Sequence, residues 1–152
     1  MKMMTKEIEK VLEKYPIYSQ DGLMGDAKVV IKFFDPCSQW TWYVIEGERR
    51  EDGDWEFFGL VRGLEWEWGY FCLSQITEAR GRMGLPMERD RWLTPGKMTM
   101  SQVVGSDCGD CPEHLIKPRA AHIEEVVIDA SADAQYEPET WTAAGCGQQV
   151  LF

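Results

Sequence analysis

The chain has 152 residues, which fits one core and is long enough to fold without a metal or disulfide staple. Its 44% hydrophobic and 28% charged content is that of an ordinary globular domain, and neither a run of about 18 apolar residues nor a leader-like N-terminus occurs. The net charge of −10, with nine acids against two bases over residues 101–152, opposes direct binding to nucleic-acid phosphates; such acidity aids solubility and can also attract a basic protein partner. The expectation is therefore a cytoplasmic protein, off the membrane, with its five cysteines reduced.

In chain order, Thr5 is placed to cap a first helix, because Ile8, Val11, Leu12 and Tyr15 follow at the spacing of one apolar stripe. Pro16 stops that helix, and Ser19 to Asp26 is rich in turn residues. Ala27 to Phe34 then has the β-branched and aromatic composition of a strand. Trp40 to Glu46 predicts a second strand, with Trp40, Trp42 and Val44 on one side and Thr41, Tyr43 and Ile45 on the other. Residues 47–54 form the hairpin loop, turned at Asp52-Gly53.

Trp55 to Arg62 gives a third strand and Leu64 to Leu73 a fourth. In the fourth, Leu64, Trp66, Trp68 and Tyr70 alternate with Glu65, Glu67 and Gly69, so the expectation is one apolar and one acidic face. Ser74 begins a short helix stopped by Gly81, and GLPMERD, residues 84–90, reads as a loop. The predicted fold is α+β: a twisted antiparallel sheet of four or five strands, an N-terminal helix, and a short helix after strand four. The composition shift divides the chain into a domain over 1–105 and an acidic extension over 106–152, with a helix at 122–134 and a flexible stretch at 143–147.

The runs KVVIKFFDPCSQWTWYVIEGE, DGDWEFFGLVRGLEWEWGYFCLSQI and RGRMGLPMERD together resemble the domain-of-unknown-function family 2958 over about residues 4 to 95. The shared features are KFF-P-S-WTWY, FFGLV, GYF-L and GLP-ERD in one order. The resemblance implies a small α+β domain carried by bacteria, phages and plasmids, often near mobile-element genes. It brings no agreed activity and no catalytic residues. Cys37 stands where that pattern leads one to expect a polar residue, often Asp, which argues against acid chemistry at this position.

Three groups of side chains are candidate sites. Cys108, Cys111 and His114 have a spacing that can supply three zinc ligands, with His122 or Cys146 as the fourth; otherwise no cofactor is expected. Arg80, Arg82, Arg89 and Arg91 flank the GLPMERD loop and can grip carboxylates or phosphates, or pair with Glu88 and Asp90. Glu56, Glu65 and Glu67 are a carboxylate trio, read more readily as the solvated side of a sheet than as acid–base or Mg²⁺ groups. No serine, cysteine or histidine falls in a nucleophile motif. Six tryptophans, Trp40, Trp42, Trp55, Trp66, Trp68 and Trp92, cannot all be enclosed in a core of this size.

The reading that joins these is a non-enzymatic interaction module of a phage or mobile element. In it Glu56, Glu65, Glu67, Trp66, Trp68 and Arg89 meet a protein partner, and an anti-CRISPR or anti-restriction factor acting on a basic nucleic-acid-handling protein is one form. The alternatives are a zinc-binding domain built on Cys108, Cys111 and His114, or a small-ligand enzyme using the arginine loop.

Overall fold

The computed structural model describes residues 1–117. Helix α1 (Lys6–Leu12) begins where Thr5 accepts a hydrogen bond from the Ile8 amide at 3.2 Å. Five strands follow, β1 (Ile31–Phe34), β2 (Thr41–Arg49), β3 (Trp55–Arg62), β4 (Trp66–Cys72) and β5 (Glu88–Arg89), with α2 (Leu73–Glu78) between the last two. Helices α3 (Met100–Asp107) and α4 (Glu113–Ile116) close the described part. The strands form one antiparallel sheet in the order β4-β3-β2-β1-β5. This is the expected α+β architecture.

Strand alternation sorts the apolar side chains to two faces, and both are covered. On the first face, Phe33, Trp42, Val44, Phe57, Val61 and Phe71 pack under Met4, Ile8 and Leu12 of the N-terminal segment and under Ile76 of α2. On the second, Tyr43, Ile45 and Leu60 pack against Ala27, Val29, Met100, Val103 and Val104, with Leu115 and Ile116 at the margin. Close backbone approach makes this possible at Gly59, where an added Cβ would lie 1.9 Å from the Tyr43 carbonyl oxygen. At Gly25 the same atom would meet the Ile116 carbonyl oxygen at 2.1 Å, so only glycine admits α4 there.

Four expectations are corrected in detail. Only Ile31–Phe34 of the first predicted strand pairs regularly, because Val29 and Ala27 bond instead to Met98 and Met100. Gly47–Arg49 continue β2 rather than opening the loop. Leu64 lies outside β4 and is 90% exposed. Cys72 is disulfide-bonded, whereas Cys37, Cys108 and Cys111 are free thiols.

Strand β2 also carries a bulge between Val44 and Glu46, which turns Glu46 inward, 1% exposed. Its carboxylate accepts the amides of Tyr18 at 2.9 Å and Gln20 at 2.8 Å. The Gln20 side-chain amide donates to the Ile45 and Lys28 carbonyls, so the loop after α1 is sewn to the bulge. Burial raises the Glu46 carboxyl above its ordinary range, against the two backbone donors that lower it.

Candidate functional site

A cleft of about 580 Å³ opens on the second face at the β1 side of the sheet. Its floor is built by strand alternation. Lys32 of β1 lies opposite Tyr43 of β2, and Thr41 of β2 lies opposite Arg62 of β3. Glu88, Arg89 and Asp90 close one side, and Arg91 and Trp92 stand at the mouth. Segments that carried the family resemblance therefore converge on one place, through Lys32 and Phe34, Thr41 and Tyr43, and Glu88 to Asp90.

Carboxylates balance the floor cations. Lys32 Nζ lies 2.6 Å from Asp107 Oδ2 and 3.9 Å from Asp90 Oδ2, and its side chain is only 16% exposed. The Tyr43 hydroxyl donates to the same Asp107 oxygen at 2.9 Å. Burial first, then the Asp107 charge, pushes the Tyr43 phenol far up, so it remains a donor at neutral pH. Arg62 pairs with Asp110 at 2.8 Å and lies over the Trp66 ring. By contrast, Arg91 has no hydrogen bond or ion pair among the described residues, and Trp92 is 91% exposed.

A second cleft of about 530 Å³ adjoins the first, sharing Asp35, Ser38 and Gln39 of the β1–β2 turn. Leu64, Arg80, Arg82 and Trp40 line it. Asp35 is committed to the turn: it accepts the Cys37 amide at 2.9 Å and the Ser38 hydroxyl at 2.7 Å. A Cβ added at Gly81 would lie 2.4 Å from the Asp35 carboxylate, so a larger residue there would have to displace that side chain from the turn.

The other predicted groups are dispersed. Glu67 pairs across from Val61, on the first face, and Glu56 across from Cys72, on the second, so the carboxylate trio does not converge. Glu65 and Glu67 are exposed and Glu56 half-buried. Trp66 stacks on Tyr43 and Trp68 on Phe58, while the Trp68 indole N–H donates to the Leu115 carbonyl at 2.8 Å. The expected aromatic patch is thus roofed by the segment after α3. Glu88–Arg89 of the arginine loop pair with β1 at the edge of the sheet opposite β4, whereas Arg80 and Arg82 line the second cleft near Leu64. Arg89 lines the cleft and donates to the Lys2 carbonyl, and Arg80 caps α2 by donating to Thr77 and Ala79.

Cys108 and Cys111 pack into the second cluster, beside Trp66 and Trp68, and His114 is exposed on α4. Burial pushes both thiols up, Cys111 to about 11, which keeps them protonated and weak as nucleophiles. No three His, Cys, Asp or Glu side chains come together as a metal-holding group among the described residues. His122 and Cys146, like the predicted helix at 122–134 and the stretch at 143–147, lie outside the described residues.

Sequence reasoning missed Lys32, Tyr43, Arg62 and Asp107. A signal existed for two of them: Lys32 is the one cation between apolar residues in VVIKFF, and Arg62 ends FFGLVR where an apolar residue would suit a core strand. The model of a family described as proteins of unknown function, DUF2958, matches residues 3–106. The chain belongs to this family. No curated protein and no solved structure matches it. No helix among the described residues is long and apolar enough to cross a membrane.

Proposed function

We propose that this member of the family is a non-enzymatic protein-interaction module whose binding surface is the cleft around Lys32, Arg89, Arg91 and Trp92. The observation that carries the reading is Trp92, an indole almost wholly in water beside an arginine with no partner among the described residues. Tryptophan and arginine are the side chains most enriched where interfaces hold their energy. A cleft more open than enclosed buries too little of a small ligand to favour the arginine-loop enzyme, and a segment of a protein suits it better.

The net charge of −10 supports steering toward a basic protein, among which the nucleic-acid-handling targets of an anti-defence factor belong. The family's mobile-element setting, implied by the resemblance, is in keeping with that role. The grip itself is local: the cleft is lined by four cations and four carboxylates. Pull-down from host lysate at low and high salt tests the reading. Trp92→Ala with Arg91→Ala should abolish capture of the specific partner, and Glu65→Gln with Glu67→Gln should leave it. Loss on the β4 side alone, or capture indifferent to both pairs, sinks it.

A further inference from the structure

We infer that an acidic segment of the partner docks across Lys32, Tyr43 and Arg62, in the place that the chain's own Asp107 and Asp110 occupy here. The inference rests on the cleft being the binding surface and specifies what enters it. Two carboxylates from one short stretch, the last turn of α3 and the turn after it, reach side chains of β1, β2 and β3. Lysine, phenol and guanidinium on adjacent strands make a recognition set for paired carboxylates, and here it is filled from within.

The internal occupants are poorly anchored by their own backbone. Asp107 ends α3, where the helix macrodipole disfavours a negative charge. The Asp110 side chain is 58% exposed and its partner Arg62 24%, so a partner can reach that pair directly, whereas Lys32 and Tyr43, 16% and 1% exposed, open to it as Asp107 gives way. Such an accessible pair exchanges readily for another of like chemistry. Arg91 at the mouth, uncommitted among the described residues, adds a cation that the internal carboxylates leave free. The negative charge elsewhere on the chain is screened beyond about 8 Å at physiological salt, so it does not forbid an acidic segment at this cleft.

Competition with an internal ligand is told from simple charge attraction by a charge-matched control: removing Asp107 and Asp110 tightens binding, whereas removing two equal charges with Glu65→Gln and Glu67→Gln does not. Labelled oligo-aspartate and oligolysine peptides, followed by fluorescence anisotropy, read this directly. Asp107→Asn with Asp110→Asn keeps side-chain size and should bind oligo-aspartate about tenfold more tightly than the native chain. Adding Lys32→Met to that pair should remove the gain, with thermal melts confirming that each variant folds. Equal binding by the native chain and the double variant overturns the inference, as does a preference for oligolysine. Displacement of the peptide by equimolar inorganic phosphate overturns it too, because the occupant is then a small anion. Peptide binding that follows the variants while Trp92→Ala captures partner normally would sink the module reading and leave this one standing.

Discussion

The two faces of the sheet are built by the same strands and differ in what covers them. The first lies under α1 and α2 and its buried centre is apolar, with Phe33, Trp42, Phe57 and Phe71 each at most 1% exposed. The second is roofed by short pieces, a 3₁₀ turn at Met24–Asp26, α3 and α4, and it admits Lys32, Glu46 and Arg62 among its apolar groups. A face closed by a helix and interlocked rings has one arrangement. A face closed by four- and eight-residue helices can exchange its polar contacts, and there the cleft lies.

The largest expected effect tests the closed face. Phe57 is fully buried between Phe33, Trp55 and Phe71. Phe57→Ala should cost about 3–5 kcal/mol in chemical denaturation, because neighbouring rings fixed on three strands cannot collapse into the space. A loss below about 2 kcal/mol would show that this face adapts as readily as the other.

Glu46 gives the next largest effect and belongs to the second face. Glu46→Ala leaves the Tyr18 and Gln20 amides without their acceptor, at about 1–3 kcal/mol for each donor left dry. The sign with pH follows from its raised carboxyl. The folded state holds this proton more tightly than the unfolded chain does. Its contribution to stability is therefore fully present below the unfolded value near 4.5 and is lost as pH rises through the folded value. Urea midpoints measured from pH 4 to 8 should fall across that window in the native chain and lose this component in Glu46→Gln. Parallel curves would mean that burial does not control the group.

What was legible in the sequence follows the same division. The stripe of α1, its Thr5 cap and the alternation of β2 and β3 are local patterns, and the first face came out as read. The second face needed information held far away in the chain. Trp66 and Trp68 read as a surface patch because the roof, Leu115 and Ile116, comes some fifty residues later. Glu65 and Glu67 read as one acidic side with Glu56, but pairing opposite Val61 and Cys72 puts Glu67 and Glu56 on different faces. Lys32 and Arg62 drew no notice because their partners, Asp107 and Asp110, sit in a segment read as a separate extension.

A smaller effect sharpens the contrast between holding the fold and holding a partner. Lys32→Met removes a half-buried ion pair but leaves Asp107 bonded to the Tyr43 hydroxyl, and its stability change should stay within about 1 kcal/mol. The methionine stem keeps the packing over Phe34. Thermal melts should therefore move little while oligo-aspartate binding in the Asp107→Asn, Asp110→Asn background is lost. A large drop in melting temperature would make Lys32 a structural residue and remove it from the site.

The smallest effect decides between the two surfaces that charge alone suggests. Glu65 and Glu67 are exposed at the β4 edge, and their carboxylates have no hydrogen bond or ion pair among the described residues. Glu65→Gln with Glu67→Gln should alter stability by no more than about 0.5 kcal/mol, since surface substitutions away from special features rarely do more. The same pair removes two negative charges from a chain at −10, so any steering of a basic partner should weaken only slightly, and only at low salt. If partner capture instead collapses at every salt concentration, β4 is a specific contact and the cleft on the β1 side is not the principal surface. Unchanged capture together with loss in Trp92→Ala places recognition at the opposite edge, where an exposed indole stands beside an arginine with no partner among the described residues.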